Sequence, residues 1–204
     1  LFNNSFLFSD KNPYDNENTF VEIKKIQNIN QYNNFMLQIG KYIKSDFLLV
    51  VQDDGHIVNS NKWSENFLNY DYIGAPWPNS RKWNKRWKGH NRELIINNLT
   101  NNRVGNGGFS LRSKKFLEFS AQYANCDEYA EDVFLCILKY EEAIKNGIKF
   151  APYDVASEFS MEVPQGGFRM RKEKKNKNFN VENHFGWHGK RFKNSSDLLD
   201  LKFS

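Results

Sequence analysis

The chain has 204 residues, of which 39% are hydrophobic and 16% aromatic. This composition is sufficient for a folded core and excludes a disordered chain, and the length suits one domain over residues 1–204. The net charge of +5 is compatible with a phosphate-bearing ligand, an anionic membrane surface or nucleic acid, and does not distinguish among them.

Cys126 and Cys136 have no metal-ligand spacing, so we expect reduced thiols. No apolar run is long enough for a membrane-spanning helix, and no signal peptide is visible. The expected location is the cytoplasm, with peripheral membrane contact compatible with the charge. Because the chain starts at Leu1 rather than Met, we expect an N-terminal piece to precede it.

Short apolar runs alternate with helix-like patterns, which is typical of an α/β layer fold. Asn30 is the predicted N-cap of the first helix. Residues 47–51 lack polar alternation, which predicts a strand buried on both faces, as in a parallel sheet. The first half is predicted to hold strands over residues 6–8, 20–23, 47–51, 57–59 and 72–74, and helices over 31–44 and 62–68.

The second half begins with residues 76–103, which have little periodicity and predict a long loop. Helices are predicted from Ser113 and over about 131–146, the latter ending at Gly147. The remaining predictions are a strand over 148–151, a flexible loop over 164–183 and a short helix over 196–202.

The acidic motif Gln52-Asp53-Asp54-Gly55 directly follows the predicted strand 47–51. Ligands of open α/β sheets bind beyond the carboxyl ends of strands, and adjacent carboxylates there are costly unless a cation neutralises them. Their oxygens suit Mg²⁺ or Mn²⁺, which can stabilise a diphosphate leaving group. The alternative is a hairpin turn, since Asp-Gly is a common turn pair.

A glycine segment, Gly105-Asn106-Gly107-Gly108, lets the backbone approach a ligand closely. Its spacing is neither that of a dinucleotide fingerprint nor that of a P-loop. The alternative is a tight loop without a ligand.

Glu131 and Asp132 open a predicted helix. Carboxylates in a first helical turn favour the helix dipole, so helix capping is one interpretation. The other is a general base that deprotonates an acceptor hydroxyl.

His188 lies in the motif Trp187-His188-Gly189 near the end of the chain. It is either a hydrogen-bonded structural histidine or a late metal ligand. His184 and His56 are weaker candidates for the same role.

Two basic stretches, residues 81–88 and 169–177, predict either solvated loops or contacts to phosphate. Nucleic-acid binding is not expected, because no binding motif accompanies them and the net charge is small.

Taken in order, these motifs resemble a little-characterised family of small GT-A-like glycosyltransferase domains of bacteria and viruses. More distantly, they are similar to the beta-1,3-galactosyltransferases. The resemblance covers roughly residues 5–190. Its segments are Tyr32-Asn33, residues 47–55, Trp63, residues 70–77, residues 104–113, residues 131–134, residues 150–152 with Ala156 and residues 159–160, and residues 185–189.

The resemblance implies a Rossmann-type mixed, mostly parallel sheet flanked by helices, with the first strand absent or truncated. It implies a site with Mn²⁺ or Mg²⁺, a nucleotide-sugar donor and a glycan acceptor. Gly55 stands where an acidic residue is usual, so a sparse metal shell is expected. The implied metal ligands are Asp54, Asp53 and His188, the implied donor contacts are Gln52, Asp53, Gly107, Gly108 and Trp77, and the implied catalytic bases are Asp132 and Glu131.

The function expected from this resemblance is sugar transfer to a hydroxyl group, with inversion at the anomeric carbon. The alternative is a GT-A-like domain that binds glycan or nucleotide without catalysis.

Overall fold

A computed structural model describes residues 4–12, 19–77, 92–126, 129–162 and 181–189. These residues form a mixed α/β fold of small sheets and helices. The predicted helix over 196–202 and both basic stretches lie outside the described residues.

Strands and helices are interspersed along the described parts of the chain. The strands are β1 Phe6–Ser9, β2 Thr19–Glu22, β3 Phe47–Val51, β4 Gly55–Ile57, β5 Tyr72–Gly74, β6 Phe109–Ser113, β7 Ser160–Met161 and β8 Gly186–His188. The α-helices are α1 Ile29–Leu37, α2 Arg92–Asn101, α3 Lys114–Ser120, α4 Glu131–Val133, α5 Tyr140–Lys145 and α6 Tyr153–Phe159. A π-helix, Phe134–Leu138, follows α4, and 3-10 turns span Ile39–Tyr42, Ser60–Lys62, Glu65–Asn69 and Val181–Asn183.

The central sheet has the order β3-β6-β5, with β6 antiparallel to both neighbours. Every residue of β6 is buried, and Leu111 pairs with Leu49 on one side and Ile73 on the other. The expectation of a mostly parallel sheet therefore does not hold for this described sheet. Strand β3 does pack on both faces, but only in part, because Val51 at its end is 49% exposed.

A second sheet, β4-β8-β7, brings the Trp187-His188-Gly189 motif back to the acidic turn. Strand β8 runs antiparallel to β4, where Gly55 pairs with His188, and parallel to β7. Gly186 of β8 lies so close to the core that a Cβ would sit 2.0 Å from the ring of Phe109. A residue without a side chain is needed there for β8 to reach this position. A third sheet pairs β1 with β2 in parallel.

The first predicted helix, over 31–44, is shorter than expected. Helix α1 begins after Asn28, whose side chain accepts a hydrogen bond from the Gln31 amide, so Asn28 rather than Asn30 is the cap. A 3-10 turn replaces its last part. The predicted start of a helix at Ser113 is confirmed, since its hydroxyl accepts from the Phe116 amide.

The predicted helix over 131–146 is divided into α4, the π-helix and α5, and it ends as expected near Gly147, at φ 72°. Asn98 of α2 and Asn102, just after α2, hydrogen-bond to the backbone of the π-helix. Asn102 donates to the Cys136 carbonyl at 2.9 Å and Asn98 donates to the Ile137 carbonyl at 2.7 Å. These amides hydrogen-bond two carbonyls of the π-helix, so they stabilise an arrangement that is rare in isolation.

Helix α2 itself lies in the predicted loop over 76–103, and that part of the loop prediction is wrong. Its sequence is mostly polar, and only Ile95, Asn98 and Leu99 are buried. The apolar stripe is therefore too narrow for the spacing of apolar residues to predict a helix. The cysteines, Cys126 and Cys136, are buried and free. No helix in the described ranges is both long and apolar enough to cross a membrane.

Candidate functional site

Two short strands bring the acidic turn and the last histidine together. Residues 52–54 connect β3 to β4, and β8 lies beside β4. His188 Nε2 is 3.0 Å from Asp54 Oδ1, although 134 positions separate the two residues in sequence (188 − 54). Asp53, the other predicted ligand in the turn, is exposed.

Gln52 completes this cluster of Gln52, Asp54 and His188, which we call the metal half because the sequence predicts a metal site there. The Gln52 Oε1 atom lies 3.2 Å from His188 Nε2, and its Nε2 donates to the Tyr32 hydroxyl. Because both atoms facing His188 Nε2 are acceptors, we assign the ring proton to Nε2. His188 Nδ1 is then buried without a hydrogen-bond partner among the described residues.

Two adjacent glycines, Gly107 and Gly108, lie between the metal half and a second group of carboxylates. A Cβ on Gly108 would lie 2.0 Å from His188 Nε2 and 2.5 Å from Gln52 Oε1. A Cβ on Gly107 would instead lie 2.7 Å from Glu131 Oε1. Neither position has room for a side chain. The metal half therefore packs against Gly108, and the second group of carboxylates packs against Gly107, the residue next to it.

The second group is centred on Asp132, which is partly buried at the start of α4. Its Oδ2 accepts the Gly107 amide at 3.0 Å and its Oδ1 accepts the Val133 amide at 2.7 Å. Burial, reinforced by the Glu131 charge, raises the pKa of Asp132 to about 7, although these two hydrogen bonds oppose the change. The carboxyl group can therefore gain or lose a proton near neutral pH.

Glu131 has a different environment from its neighbour. Its carboxylate lies 2.8 Å from an Arg112 guanidinium nitrogen, and the two side chains are 3% and 0% exposed. Burial lowers the pKa of Arg112, but the Glu131 carboxylate more than reverses this and keeps the guanidinium charged. Glu131 therefore serves as a counterion, and Asp132 is the better placed of the two predicted bases.

The remaining predicted site residues lie elsewhere. Trp77 is 4% exposed and belongs to the hydrophobic core, where a Cβ on Gly105 would lie 2.4 Å from its ring. His184 Nδ1 lies 2.6 Å from the Ser157 carbonyl, which favours a structural role. His56 pairs with Trp187 in the β4–β8 ladder, one residue along from the Gly55–His188 pair.

The described residues contain no group of three or more His, Cys, Asp or Glu side chains that could hold a metal ion. The metal half instead offers one carboxylate, one imidazole and one amide oxygen. Neighbouring ligands about 2.1 Å from an ion in octahedral geometry lie roughly 3 Å apart, which the spacing around His188 Nε2 matches. The two oxygen donors suit Mn²⁺ or Mg²⁺. The imidazole can join them once Nε2 carries no proton, so these residues fit such an ion.

A family model described as a protein of unknown function (DUF5672) matches residues 15–188. The chain belongs to this family. The matched region includes the acidic turn, the glycine segment, Asp132 and His188. No curated protein and no solved structure matches the chain.

Three residues that contact the candidate site of this DUF5672 member, Arg112, Tyr32 and Asn33, have no role predicted from the sequence. Arg112 lies on the strand Phe-Ser-Leu-Arg-Ser, in which every residue is buried, so its charge needs a buried partner. The mixed sequence of this strand gives no signal of that burial. Tyr32 and Asn33 hydrogen-bond to Gln52 and to the Glu131 amide. Only the tertiary structure reveals these contacts, because Tyr32 looks like one more member of an apolar helix face.

We predict that Glu131→Gln lowers the free energy of unfolding by about 3–5 kcal/mol, because it leaves the buried Arg112 charge without a counterion. The matched control is Glu142→Gln, which breaks the exposed pair with Lys139 and is expected to cost about 0–1 kcal/mol. Urea unfolding measures both. Equal costs for the two variants would contradict the account.

We also predict a pH dependence of stability from Asp132. Its pKa rises from 3.8 in the unfolded chain to about 7 in the fold, so between these values the unfolded state loses the proton first. The contribution of Asp132 to stability is therefore greatest below the lower value and falls as pH rises towards the upper one.

Asp132→Asn should remove this dependence, so the variant gains stability relative to the wild type as pH rises. Asp154→Asn, at the start of α6, is the matched control and should keep it. Urea unfolding across the pH range measures the difference between each variant and the wild type. A difference that stays constant for Asp132→Asn would show that the carboxyl is not perturbed.

Proposed function

We propose that this member of the DUF5672 family is a metal-dependent glycosyltransferase of the GT-A type. It would move a sugar from a nucleotide-sugar donor to a hydroxyl group of a glycan acceptor. One observation carries the proposal: a carboxylate–histidine pair and a carboxyl group with a pKa near neutrality meet at two adjacent glycines, Gly107 and Gly108. Leaving-group stabilisation and proton removal need such groups close together.

In this proposal Asp54 and His188 would hold Mn²⁺ or Mg²⁺, with the Gln52 amide oxygen as a further donor. His188 would then bind through an unprotonated Nε2, with the ring proton on Nδ1. The bound ion supplies charge neutralisation for the departing diphosphate. Gly55 stands where the resemblance implies an acidic residue, so the proposed metal shell has fewer carboxylates and includes the amide oxygen of Gln52. Asp53 is exposed beside this group and remains a proposed contact to the donor.

Asp132 is the proposed base. Its carboxylate takes the proton of the acceptor hydroxyl while the acceptor oxygen bonds to the anomeric carbon and the bond to the diphosphate oxygen breaks. This is a single displacement and inverts the anomeric configuration. A pKa near 7 suits the task, because a substantial fraction of the group is ionised at neutral pH yet basic enough to accept the proton.

The GT-A arrangement is part of the same proposal. It is supported by an acidic turn at the end of β3, by the glycine segment that leads into the central strand β6, and by a helix whose first turn carries the proposed base. The antiparallel pairing of β6 with β3 places the end of β3 beside the start of β6, so the acidic turn and the glycine segment lie at one edge of the sheet.

A second candidate is a GT-A-like domain that binds glycan or nucleotide without catalysis. One observation favours it: both oxygens of Asp132 already accept backbone amides, from Gly107 and Val133. These hydrogen bonds would suit a carboxylate whose task is to hold the glycine segment in place. Under this candidate, binding of a glycan would be independent of metal.

The test is donor turnover by the full-length protein with Mn²⁺ and a panel of nucleotide sugars. Asp132→Asn is expected to lower turnover by about 10²–10⁴-fold with donor binding retained, because the proton acceptor is lost. Asp54→Asn is expected to weaken Mn²⁺-dependent donor binding. The matched controls, Asp154→Asn and Asp46→Asn, change exposed carboxylates away from the site and should be silent.

Near-normal turnover in Asp132→Asn would refute its role as the base. Donor binding that does not depend on Mn²⁺ or on Asp54 would refute the metal site. Glycan binding without metal, together with no binding of any donor in calorimetry, would establish the second candidate instead. Product configuration, read by NMR, tests inversion.

A further inference from the structure

Helix α1 contacts both groups of the candidate site. Consecutive residues of an α-helix point about 100° apart, so two neighbours can contact two different elements. Tyr32 contacts the metal half through Gln52, and Asn33 contacts the backbone at the start of α4.

Tyr32 holds the side-chain amide of Gln52 through a hydrogen bond. A side-chain amide has an acceptor oxygen and a donor nitrogen, and the Tyr32 hydroxyl accepts the hydrogen bond from Nε2. With its Nε2 held by Tyr32, the Gln52 oxygen lies 3.2 Å from His188 Nε2.

Asn33 caps α4 from a different helix. Its Oδ1 accepts the Glu131 amide at 3.1 Å, and its Nδ2 donates to the Tyr129 carbonyl at 2.8 Å. Ala130, the local cap residue, makes no side-chain hydrogen bond, so Asn33 takes the role that a cap residue normally has. Asn33 is 2% exposed, which shields both hydrogen bonds from water.

We propose that Tyr32 and Asn33 are two positioning residues with separate tasks: Tyr32 orients the Gln52 oxygen in the metal half, and Asn33 fixes Asp132 through the first turn of α4. These tasks rest on the proposed function, but the two contacts do not. Helix α1 thereby sets how the two parts of the site stand relative to each other.

The test compares Tyr32→Phe and Asn33→Ala in the full chain, with two readouts. Mn²⁺ affinity is measured by EPR of the free ion, and the pKa of Asp132 by NMR titration of its ¹³C-labelled carboxyl in metal-free protein. The controls are Tyr42→Phe, a partly buried tyrosine in the next 3-10 turn, and Asn34→Ala, an exposed residue of α1.

Tyr32→Phe is expected to weaken Mn²⁺ binding about tenfold, the usual loss when a partner of a metal ligand is removed, and to leave the pKa of Asp132 unchanged. Asn33→Ala is expected to do the reverse. Its frayed helix start exposes Asp132, so the pKa of that carboxyl falls towards the ordinary range while Mn²⁺ affinity holds. Both controls should match the wild type.

A general loosening of α1 would change both readouts in both variants, and that outcome would overturn the proposal. No change in either variant would overturn it as well. If the wild type binds no Mn²⁺, the proposed metal site fails on its own. The inference is then decided by the Gln52 side-chain amide signals in NMR, which must shift in Tyr32→Phe and stay in place in Asn33→Ala.

Discussion

The buried ion pair between Arg112 and Glu131 is the contact on which the rest of the site depends. Neither side chain reaches water to any useful extent, so each charge needs the other, and the pair is stable only in a narrow geometry. Arg112 lies on the central strand and also donates to the Gly107 carbonyl and the Ser110 hydroxyl, whereas Glu131 begins α4. One ion pair thus joins the central strand, the glycine segment and the helix that carries Asp132.

The glycine segment links this ion pair to both parts of the candidate site. With Gly107 held by Arg112 and Asp132, Gly108 is left facing His188 and the Gln52 amide at distances that no side chain would permit. The second sheet supplies the other requirement, since β8 must lie beside β4 for the histidine to reach the acidic turn. Chemistry that needs a cation site and a proton acceptor together therefore depends on backbone packing as much as on the reacting side chains.

Part of the fold and of the candidate site could be predicted from local signals in the sequence. The strand before the acidic turn, the hydroxyl cap at Ser113 and the helix stop at Gly147 each depend on neighbouring residues only, and all three are confirmed. The parallel pairing expected of that strand is wrong, because pairing depends on a partner distant in sequence. The π-helix, the cap by Asn33 and the contrast between Glu131 and Asp132 are not local. The last depends on helix phase, because adjacent carboxylates look equivalent until one of them faces a buried guanidinium.

We propose that a cation held by Asp54 and His188 lies beside Gly108 and close to Asp132. Paramagnetic broadening by Mn²⁺ in NMR spectra of the labelled protein reports this position. Substoichiometric Mn²⁺ is expected to broaden the signals of Gly108, His188 and the Asp132 carboxyl first, and Asp54→Asn is expected to abolish the effect. Broadening centred on another group of acids, such as Glu141 and Glu142 at the start of α5, with Gly108 unaffected, would contradict it.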